Sequence, residues 1–247
     1  MTRKCRLLIG AVSVLLVFVA TCACWAAEDK ALVLDFRFDE GKGKVAHDVS
    51  GLENHGKIKG AKWVALAKGH ALKFDGAASQ VEVPANPSLN IGTSPFSVEV
   101  WLRPDDLSGA ADVISKWGKN EFMLRVGARG GRAIFFMTDW NSYRMSNPKA
   151  VKVGKWTHMV VVKQHDEKGG IDVRCYVNGE DQTGSIGGKP FPAEIKGSKN
   201  NLYIGGLVGY GYFKGLIAGV RIYKKALTAE EVRAHAREIS PEDLSVQ

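Results

Sequence analysis

The sequence has 247 residues, of which 45% are hydrophobic and 24% are charged, and its formal net charge is +8. This composition is typical of a folded domain. It excludes a disordered, collagen-like or coiled-coil chain, because there is no long charge block, strict glycine period or sustained heptad. The basic residues are interspersed with acidic ones and do not cluster along one element, which argues against a nucleic-acid partner.

The first 26 residues have the pattern of a targeting segment. Three basic residues precede an uncharged apolar run from Leu7 to Ala23. This pattern predicts a signal peptide that is cleaved before Ala27. A retained N-terminal anchor and a lipid attached to Cys22 are the alternatives, because the run approaches the length that spans a bilayer. All three predict export. The protein would be secreted, periplasmic or attached to the cell surface, and would meet the membrane only through this segment.

The cysteine count agrees with this division of the chain. Removing residues 1–26 takes away three basic residues, so the net charge falls from +8 to +5, and Cys175 is then the single cysteine. Cys175 alternates with Val173 and Val177, which predicts a buried strand position and not a reactive thiol. No pair of cysteines with zinc-ligand spacing remains.

Residues 28–239 have the pattern of one domain built from short strands and turns. Apolar and polar residues alternate with period two at 96–103, 156–163 and 173–177. Asn178-Gly179 follows the last of these segments and predicts a tight hairpin turn. Further strands are predicted at 31–38, 55–59, 71–74, 79–83, 112–117, 121–127, 132–138, 201–205 and 213–223.

One helix is predicted near the end of the domain. Thr228 and Glu231 have the spacing of a capping box, and Val232, Ala236 and Ile239 would share one face. Residues 240–247 are predicted to form a loose tail.

Many short strands without intervening helices cannot form a parallel sheet, which needs crossover connections. We therefore predict an all-β fold, in which two antiparallel sheets form a sandwich with one short C-terminal helix. The aromatic residues expected between the sheets are Phe36, Phe38, Phe74, Phe96, Phe135 and Trp156.

Several segments resemble, in the same order, the motifs of the laminin-G-like jelly-roll family, which has the concanavalin A-like lectin and glucanase fold. These segments are Leu34–Gly43, Asp48–Gly56, Ala71–Gly76, Phe96–Trp101, Lys155–Val160, Phe213–Ile217 and Val220–Leu227. The resemblance covers residues 31–232 and implies the jelly-roll form of the sandwich. Lectins, adhesion modules and glycosidases share this fold, so the fold does not decide the function.

The resemblance also implies a calcium ion between the N-terminal segment and the closing strand. Carboxylate, amide and backbone oxygens of the kind that calcium prefers are offered by Asp39, Asp48, Ser50 and Asn54. The family commonly has an acidic residue just before the closing strand, where this sequence has Ala218-Gly219. The alternative is a turn in which the Asp48 carboxylate accepts hydrogen bonds from backbone amides.

The sequence carries few signs of acid/base catalysis. Glycan cleavage needs two carboxylates at a fixed separation, and the Glu-x-Asp-x-x-Glu triplet of the glucanase branch does not occur. Glu99 lies in the middle of a predicted strand and shares a face with Trp101 and Arg103, so we expect a salt-bridged, partly exposed residue. His158 is expected to be a hydrogen-bonded structural residue. No metal-binding histidine motif, nucleophile elbow or phosphate-binding loop occurs.

Binding of a carbohydrate has more support, because sugar rings stack on aromatic side chains while amides and carboxylates bind their hydroxyl groups. A loop predicted at 139–144 combines aromatic, amide, acidic and cationic residues. The candidate ligand-binding residues are Trp117, Asp139, Trp140, Asn141, Tyr143, Arg144 and Tyr210. The alternative is that these aromatic side chains close the ends of the sandwich.

The sequence therefore predicts an exported, non-catalytic recognition module that binds carbohydrate or a cell-surface or matrix partner, with calcium as a structural cofactor. Two alternatives stay open. One is a glycan-active enzyme, either a glycosidase or a lyase, with an unfamiliar site on the same fold. The other is a structural envelope protein that binds only protein.

Overall fold

The computed structural model describes residues 29–117, 121–127, 131–137, 142–240 and 242–247. The predicted leader at residues 1–26 lies outside the described residues, and so do Asp139, Trp140 and Asn141. Within the described ranges, no helix combines the length and the hydropathy needed to cross a membrane.

The described residues form mainly short strands, most of them in segments for which the sequence predicts a strand. In chain order the strands are β1 (Leu32–Phe36), β2 (Val45–Ala46), β3 (Gly56–Lys59), β4 (Lys62–Ala65), β5 (His70–Asp75), β6 (Gln80–Val83), β7 (Phe96–Pro104), β8 (Ala111–Lys116), β9 (Phe122–Val126), β10 (Ala133–Met137), β11 (Ser142–Ser146), β12 (Thr157–His165), β13 (Ile171–Val177), β14 (Glu180–Asp181), β15 (Thr183–Gly188), β16 (Leu202–Ile204), β17 (Gly206–Leu207), β18 (Gly211–Tyr212) and β19 (Lys214–Tyr223). A 3-10 helix spans Pro87–Leu89, and the helix α1 spans Ala229–His235.

The strands form two large antiparallel sheets, which confirms the predicted jelly-roll sandwich. The A sheet has the order β14-β13-β12-β7-β19-β5-β4, and β1 pairs with the second half of β19. The B sheet has the order β15-β11-β10-β9-β8-β16-β6-β3-β2, and β17 pairs with β18 in a separate hairpin. Asn178 and Gly179 have positive φ angles of 51° and 83° between β13 and β14, as the predicted hairpin turn requires.

The main core lies between the two sheets. The Phe96 ring packs against Phe122 and Phe135, with ring centroids 5.4 and 5.9 Å apart. The five phenylalanines predicted for this core are all buried in it.

Trp156 differs from this prediction, because it packs on the outer face of the A sheet, and its Nε1 donates a hydrogen bond of 2.7 Å to the Leu244 carbonyl oxygen. Both faces of this sheet are covered, so alternation alone does not distinguish the inner face from the outer one.

The C-terminal residues cover the outer face of the A sheet. The predicted capping box is present: Glu231 N donates to Thr228 Oγ1 at 3.1 Å, and Thr228 N donates to Glu231 Oε2 at 2.7 Å. Residues 242–247 differ from the predicted loose tail. Val246 forms a bridge with Leu66, and Leu244 is 5% exposed beside Trp101. Burial of Leu244 and backbone pairing hold this segment on the sheet.

Candidate functional site

The outer face of the B sheet carries an apolar cluster where a two-sheet sandwich ordinarily turns polar residues to solvent. Phe136 on β10 lies opposite Met123 on β9 and Tyr143 on β11. The rings of Phe136 and Tyr143 have centroids 5.5 Å apart. We name this cluster the aromatic face; its members are Trp117, Met123, Ile134, Phe136, Tyr143, Met145 and Leu207.

The members of the aromatic face differ in how much surface they offer. Trp117 is 8% exposed, so its ring is packed within this cluster and offers little surface to a ligand. Tyr143 is half-buried. Tyr210 is 45% exposed at the turn of the β17–β18 hairpin, where its backbone N donates to the Leu207 carbonyl oxygen at 3.1 Å. Tyr143 therefore provides accessible aromatic surface within the aromatic face, and Tyr210 of the β17–β18 hairpin, which is not a member of the face, adds a second exposed ring.

A polar strip continues the aromatic face across the neighbouring strands. On β6 and β16, Glu82 lies opposite Tyr203, and Asn201 Nδ2 donates to Glu82 Oε1 at 2.7 Å. Lys59 forms an ion pair with Glu82, and the hydrogen bond that Lys59 donates lowers the pKa of the Glu82 carboxyl group. The strip therefore offers a charged carboxylate, an amide and a phenol on one surface.

The register of the strands joins the polar strip and the aromatic face into one row. The row runs across six neighbouring strands through Glu82, Tyr203, Ser115, Met123, Phe136 and Tyr143. With strands about 4.8 Å apart, the row is about 24 Å long. In its middle, the buried Oγ of Ser115 has no hydrogen-bond partner among the described residues. Ser115 and Met123 in the middle of the row are only 1% and 0% exposed, so a linear ligand on this face would contact the Tyr143 ring at one end and the hydrogen-bonding groups of Glu82 and Tyr203 at the other.

The structure places Tyr143 and Arg144, the last two residues of the predicted loop 139–144, in a strand. Tyr143 and Arg144 are consecutive residues of β11, so their side chains point to opposite faces of the B sheet. Arg144 Nε donates to the Val173 carbonyl oxygen at 2.7 Å, and its Nη2 lies 3.1 Å from Asp172 Oδ1. Arg144 therefore links β11 to β13 on the face away from Tyr143.

Sequence analysis does not single out Ser115, Met123, Phe136, Tyr203 and Glu82 as site residues. The sequence marks these residues only by their place among the alternate residues of five predicted strands, which the structure contains. The register of the consecutive strands β8 to β11, and the insertion of the distant β16 between β8 and β6, decide which of these side chains become neighbours.

The loop around Asp48 is a hydrogen-bonded turn. Asp48 is 6% exposed; its Oδ1 accepts from Asp35 N and Ser50 N at 2.8 and 3.0 Å, and its Oδ2 accepts from Ser50 Oγ and Asn54 N at 2.8 and 2.9 Å. Asn54 Nδ2 donates to the Val33 carbonyl oxygen at 2.8 Å. Asp48 thus closes a turn that joins β1 to the following loop.

This donor set does not fit a calcium ion. Both Asp48 oxygens face hydrogen-bond donors, and the fourth predicted ligand, Asp39, is exposed on the rim of a cavity on the A sheet. Within the described residues, no group of three or more His, Cys, Asp or Glu side chains is arranged to hold a metal. The geometry favours the turn alternative, and calcium binding stays a prediction that awaits its test.

Glu99 is fully buried beneath α1 and not partly exposed as expected. Its Oε1 lies 2.6 Å from His158 Nε2 and 3.1 Å from His235 Nδ1. Burial raises the pKa of Glu99, but the hydrogen bonds from the two histidines outweigh it and lower the pKa to about 2. The hydrogen bond to Glu99 raises the pKa of His235. Glu99 is therefore an ionised group that links the helix to the A sheet, and the expected ion pairing is present.

The fold and this face define a jelly-roll sandwich with a row of aromatic and polar side chains across one outer face. Residues 75–233 match the family model Laminin_G_3, described as the concanavalin A-like lectin/glucanases superfamily, and the chain belongs to this family. No curated protein matches the chain in sequence.

Three solved structures share the fold. The binding domain of Paraclostridial Mosquitocidal Protein 1 has a TM-score of 0.65 and 18% identity, over 83% of this chain and 52% of that one. Domain 4 of AbnA, a GH43 extracellular arabinanase from Geobacillus stearothermophilus, in complex with arabinotriose, has a TM-score of 0.63 and 20% identity, over 83% and 98%. The binding domain of botulinum neurotoxin DC, in complex with rat synaptotagmin II, has a TM-score of 0.60 and 14% identity, over 83% and 51%. This chain therefore spans about half the length of the two toxin domains.

Proposed function

We propose that the protein is an exported recognition module that binds a carbohydrate chain along the row from Glu82 to Tyr143. The observation that carries the proposal is the shared register of aromatic and polar side chains on one outer face. Sugar rings stack on aromatic surfaces, and their hydroxyl groups need the kind of hydrogen-bonding groups that Glu82, Asn201 and Tyr203 present. The pattern of residues 1–26 supports export.

Two features favour a carbohydrate over a flat protein partner. The row is narrow and long, and it mixes a small number of polar groups with aromatic rings, as sugar-binding surfaces do. In addition, domain 4 of AbnA, which has the same fold along nearly its whole length, was solved in complex with arabinotriose.

A protein partner is the second candidate function. It is supported by the botulinum neurotoxin domain of the same fold, which was solved in complex with synaptotagmin II, and by the exposed Tyr210 and Val208 of the β17–β18 hairpin. These two side chains would form an apolar contact on the hairpin that packs beside β8.

Isothermal titration with neutral oligosaccharides, including arabino-oligosaccharides, tests the proposal. We expect Tyr143→Ala and Tyr210→Ala each to weaken binding about fivefold, because a stacked aromatic contributes about 1 kcal/mol. Val153→Ala, an exposed apolar residue on another loop, is the control and should leave binding unchanged.

A second variant tests the position of Tyr143 without removing it. Gly187 on β15 lies opposite Tyr143, and a Cβ at this position would come within 2.2 Å of the Tyr143 ring. Gly187→Ala should therefore displace the ring and weaken binding as Tyr143→Ala does. Unchanged affinity in Tyr143→Ala, Tyr210→Ala and Gly187→Ala would place the binding surface elsewhere. Absence of binding to a broad glycan array would count against a carbohydrate partner.

A further inference from the structure

A cavity of about 290 Å³ lies on the outer face of the A sheet, on the opposite side of the molecule from the row on the B sheet. Its apolar lining includes Leu66, Ala218 and Leu244. The C-terminal part of the chain contributes one wall, which is formed by Glu238, Ile239, Asp243 and Leu244.

The cavity is bordered by a buried donor that has no acceptor. Trp101 is 3% exposed and lines the cavity, and its Nε1 has no hydrogen-bond partner among the described residues. Other indoles of the domain are paired: Trp63 Nε1 donates to the Gly43 carbonyl oxygen at 3.1 Å, and Trp156 Nε1 donates to Leu244. The Nδ1 atom of His70, which also lines the cavity, is buried and lacks a partner in the described part of the chain. Leaving such groups unpaired costs free energy that a bound ligand would recover.

Four of the charged groups in the described lining of the cavity are paired with one another. Arg37 Nε lies 3.1 Å from Asp35 Oδ2, and Arg221 Nε lies 3.4 Å from Asp35 Oδ1. Arg221 also binds Glu238 at 2.8 Å. The described lining contains four carboxylates and three cationic groups, so the net charge of the cavity is close to zero. A charged ligand would be attracted by the groups of opposite charge and repelled by those of like charge, so the lining favours a neutral ligand.

We propose that this cavity binds one neutral sugar residue, at a site separate from the row on the B sheet. Apolar lining, an unpaired indole N–H, an unpaired imidazole nitrogen and paired charges at the walls match a ring with an apolar face and several hydroxyl groups. The volume lies at the lower end of small-molecule pockets, which limits the ligand to about one ring.

The test is a titration of the 15N-labelled protein followed through its indole N–H signals. The probes are the methyl glycosides of glucose, galactose, mannose, xylose and arabinose, and methyl glucuronide serves as the charged counterpart. Trp101→Phe assigns the signal. We expect at least one neutral glycoside to shift the Trp101 signal downfield with saturation, because its N–H gains an acceptor. No shift with any neutral glycoside, or a shift with the glucuronide alone, would overturn the proposal.

Variants separate this site from the proposed function. Ala218→Leu adds side-chain volume in the cavity and should abolish the saturable shift of Trp101. If this variant does not fold, Arg37→Ala, at the exposed rim, should weaken the titration about threefold through loss of one hydrogen-bonding side chain. Tyr143→Ala should leave the Trp101 titration unchanged, even though it weakens binding on the B sheet. An unaltered titration in folded Ala218→Leu would show that the sugar binds elsewhere.

Discussion

At the scale of single residues, the buried Glu99 makes the stability of the domain depend on pH. The pKa of Glu99 is lowered from 4.5 to about 2, so its contribution is present above 4.5 and is lost as the pH falls towards 2. The pKa of His235 is raised above 6.5, so its contribution is present below 6.5 and is lost as the pH rises through the raised value. The stabilising contributions of Glu99 and His235 are therefore both fully present between about pH 4.5 and 6.5.

Glu99→Gln should remove both effects. We expect a loss of about 3 kcal/mol in the free energy of unfolding at pH 5.5, because the variant breaks a buried ion pair. The loss should be smaller at pH 8.5, where less of the His235 contribution remains. Urea denaturation at the two pH values measures this difference. Glu238→Gln, whose side chain is 41% exposed, is the control and should change stability by about 0.5 kcal/mol or less. An equal loss at both pH values would contradict the role of His235.

Substitution of Asp48 distinguishes a hydrogen-bonded turn from a metal site. Asp48→Asn should lower the free energy of unfolding by about 2 kcal/mol, because an amide group cannot accept all the hydrogen bonds that the buried carboxylate accepts. In the turn alternative, calcium leaves the melting temperature of the unmodified protein unchanged, and the exposed Asp39→Asn has no effect. A calcium-dependent rise in the melting temperature that Asp48→Asn abolishes would establish the metal site. Differential scanning calorimetry with calcium and with chelator measures both.

At the scale of elements, the C-terminal segment is an integral part of the A-sheet face. Ala67 N donates to the Ser245 carbonyl oxygen at 2.8 Å, and Lys68 N donates to the Asp243 carbonyl oxygen at 3.0 Å. Together with the bond from Trp156 Nε1 to Leu244, these contacts extend the edge of the A sheet at β4.

Deletion of residues 242–247 should therefore lower the free energy of unfolding by about 2 kcal/mol or more, chiefly through loss of the buried Leu244 side chain. Leu244→Ala keeps the backbone and should reproduce most of this loss. Urea denaturation of both variants provides the measurement. If the truncated chain were as stable as the full chain, the segment would behave as the loose tail that its polar composition predicts.

At the scale of the whole molecule, the sandwich encloses Cys175 completely. The residue is 0% exposed on β13, and burial raises the pKa of its thiol to about 12. A thiol in this state reacts only when the sheets separate. Its reactivity therefore reports opening of the whole domain.

We expect the thiol of Cys175 to resist Ellman's reagent in the native protein and to react at a rate proportional to the unfolded fraction as urea is added. The measurement uses a chain in which Cys5, Cys22 and Cys24 are replaced by serine. Val153→Cys, at a position that is 54% exposed, is the control and should react at once. Rapid labelling of Cys175 without urea would indicate that β13 and β14 open locally.

Local patterns predict the elements of this protein well. Alternation of apolar and polar residues predicts β7, β12 and β13, and the capping box predicts the start of α1, because these features depend on neighbours a few residues apart. Asn178-Gly179 predicts its turn for the same reason. The sequence predicts a loop where β11 begins, because Tyr143 and Arg144 lie in a polar stretch without clear alternation, and the strand on one side of β11 is β15, about 40 residues further along the chain.

The sequence by itself therefore determines the strands, the helix cap, the sandwich and its family, since each follows from local periodicity or from the order of motifs. Only the tertiary structure decides that Glu82, Tyr203 and Phe136 share one row, that Arg144 faces away from Tyr143, and that Glu99 is buried by α1. The physical reason is that side-chain neighbours in a sheet are set by the pairing and register of strands far apart in the chain. A shift of one residue in that register would turn each side chain to the opposite face.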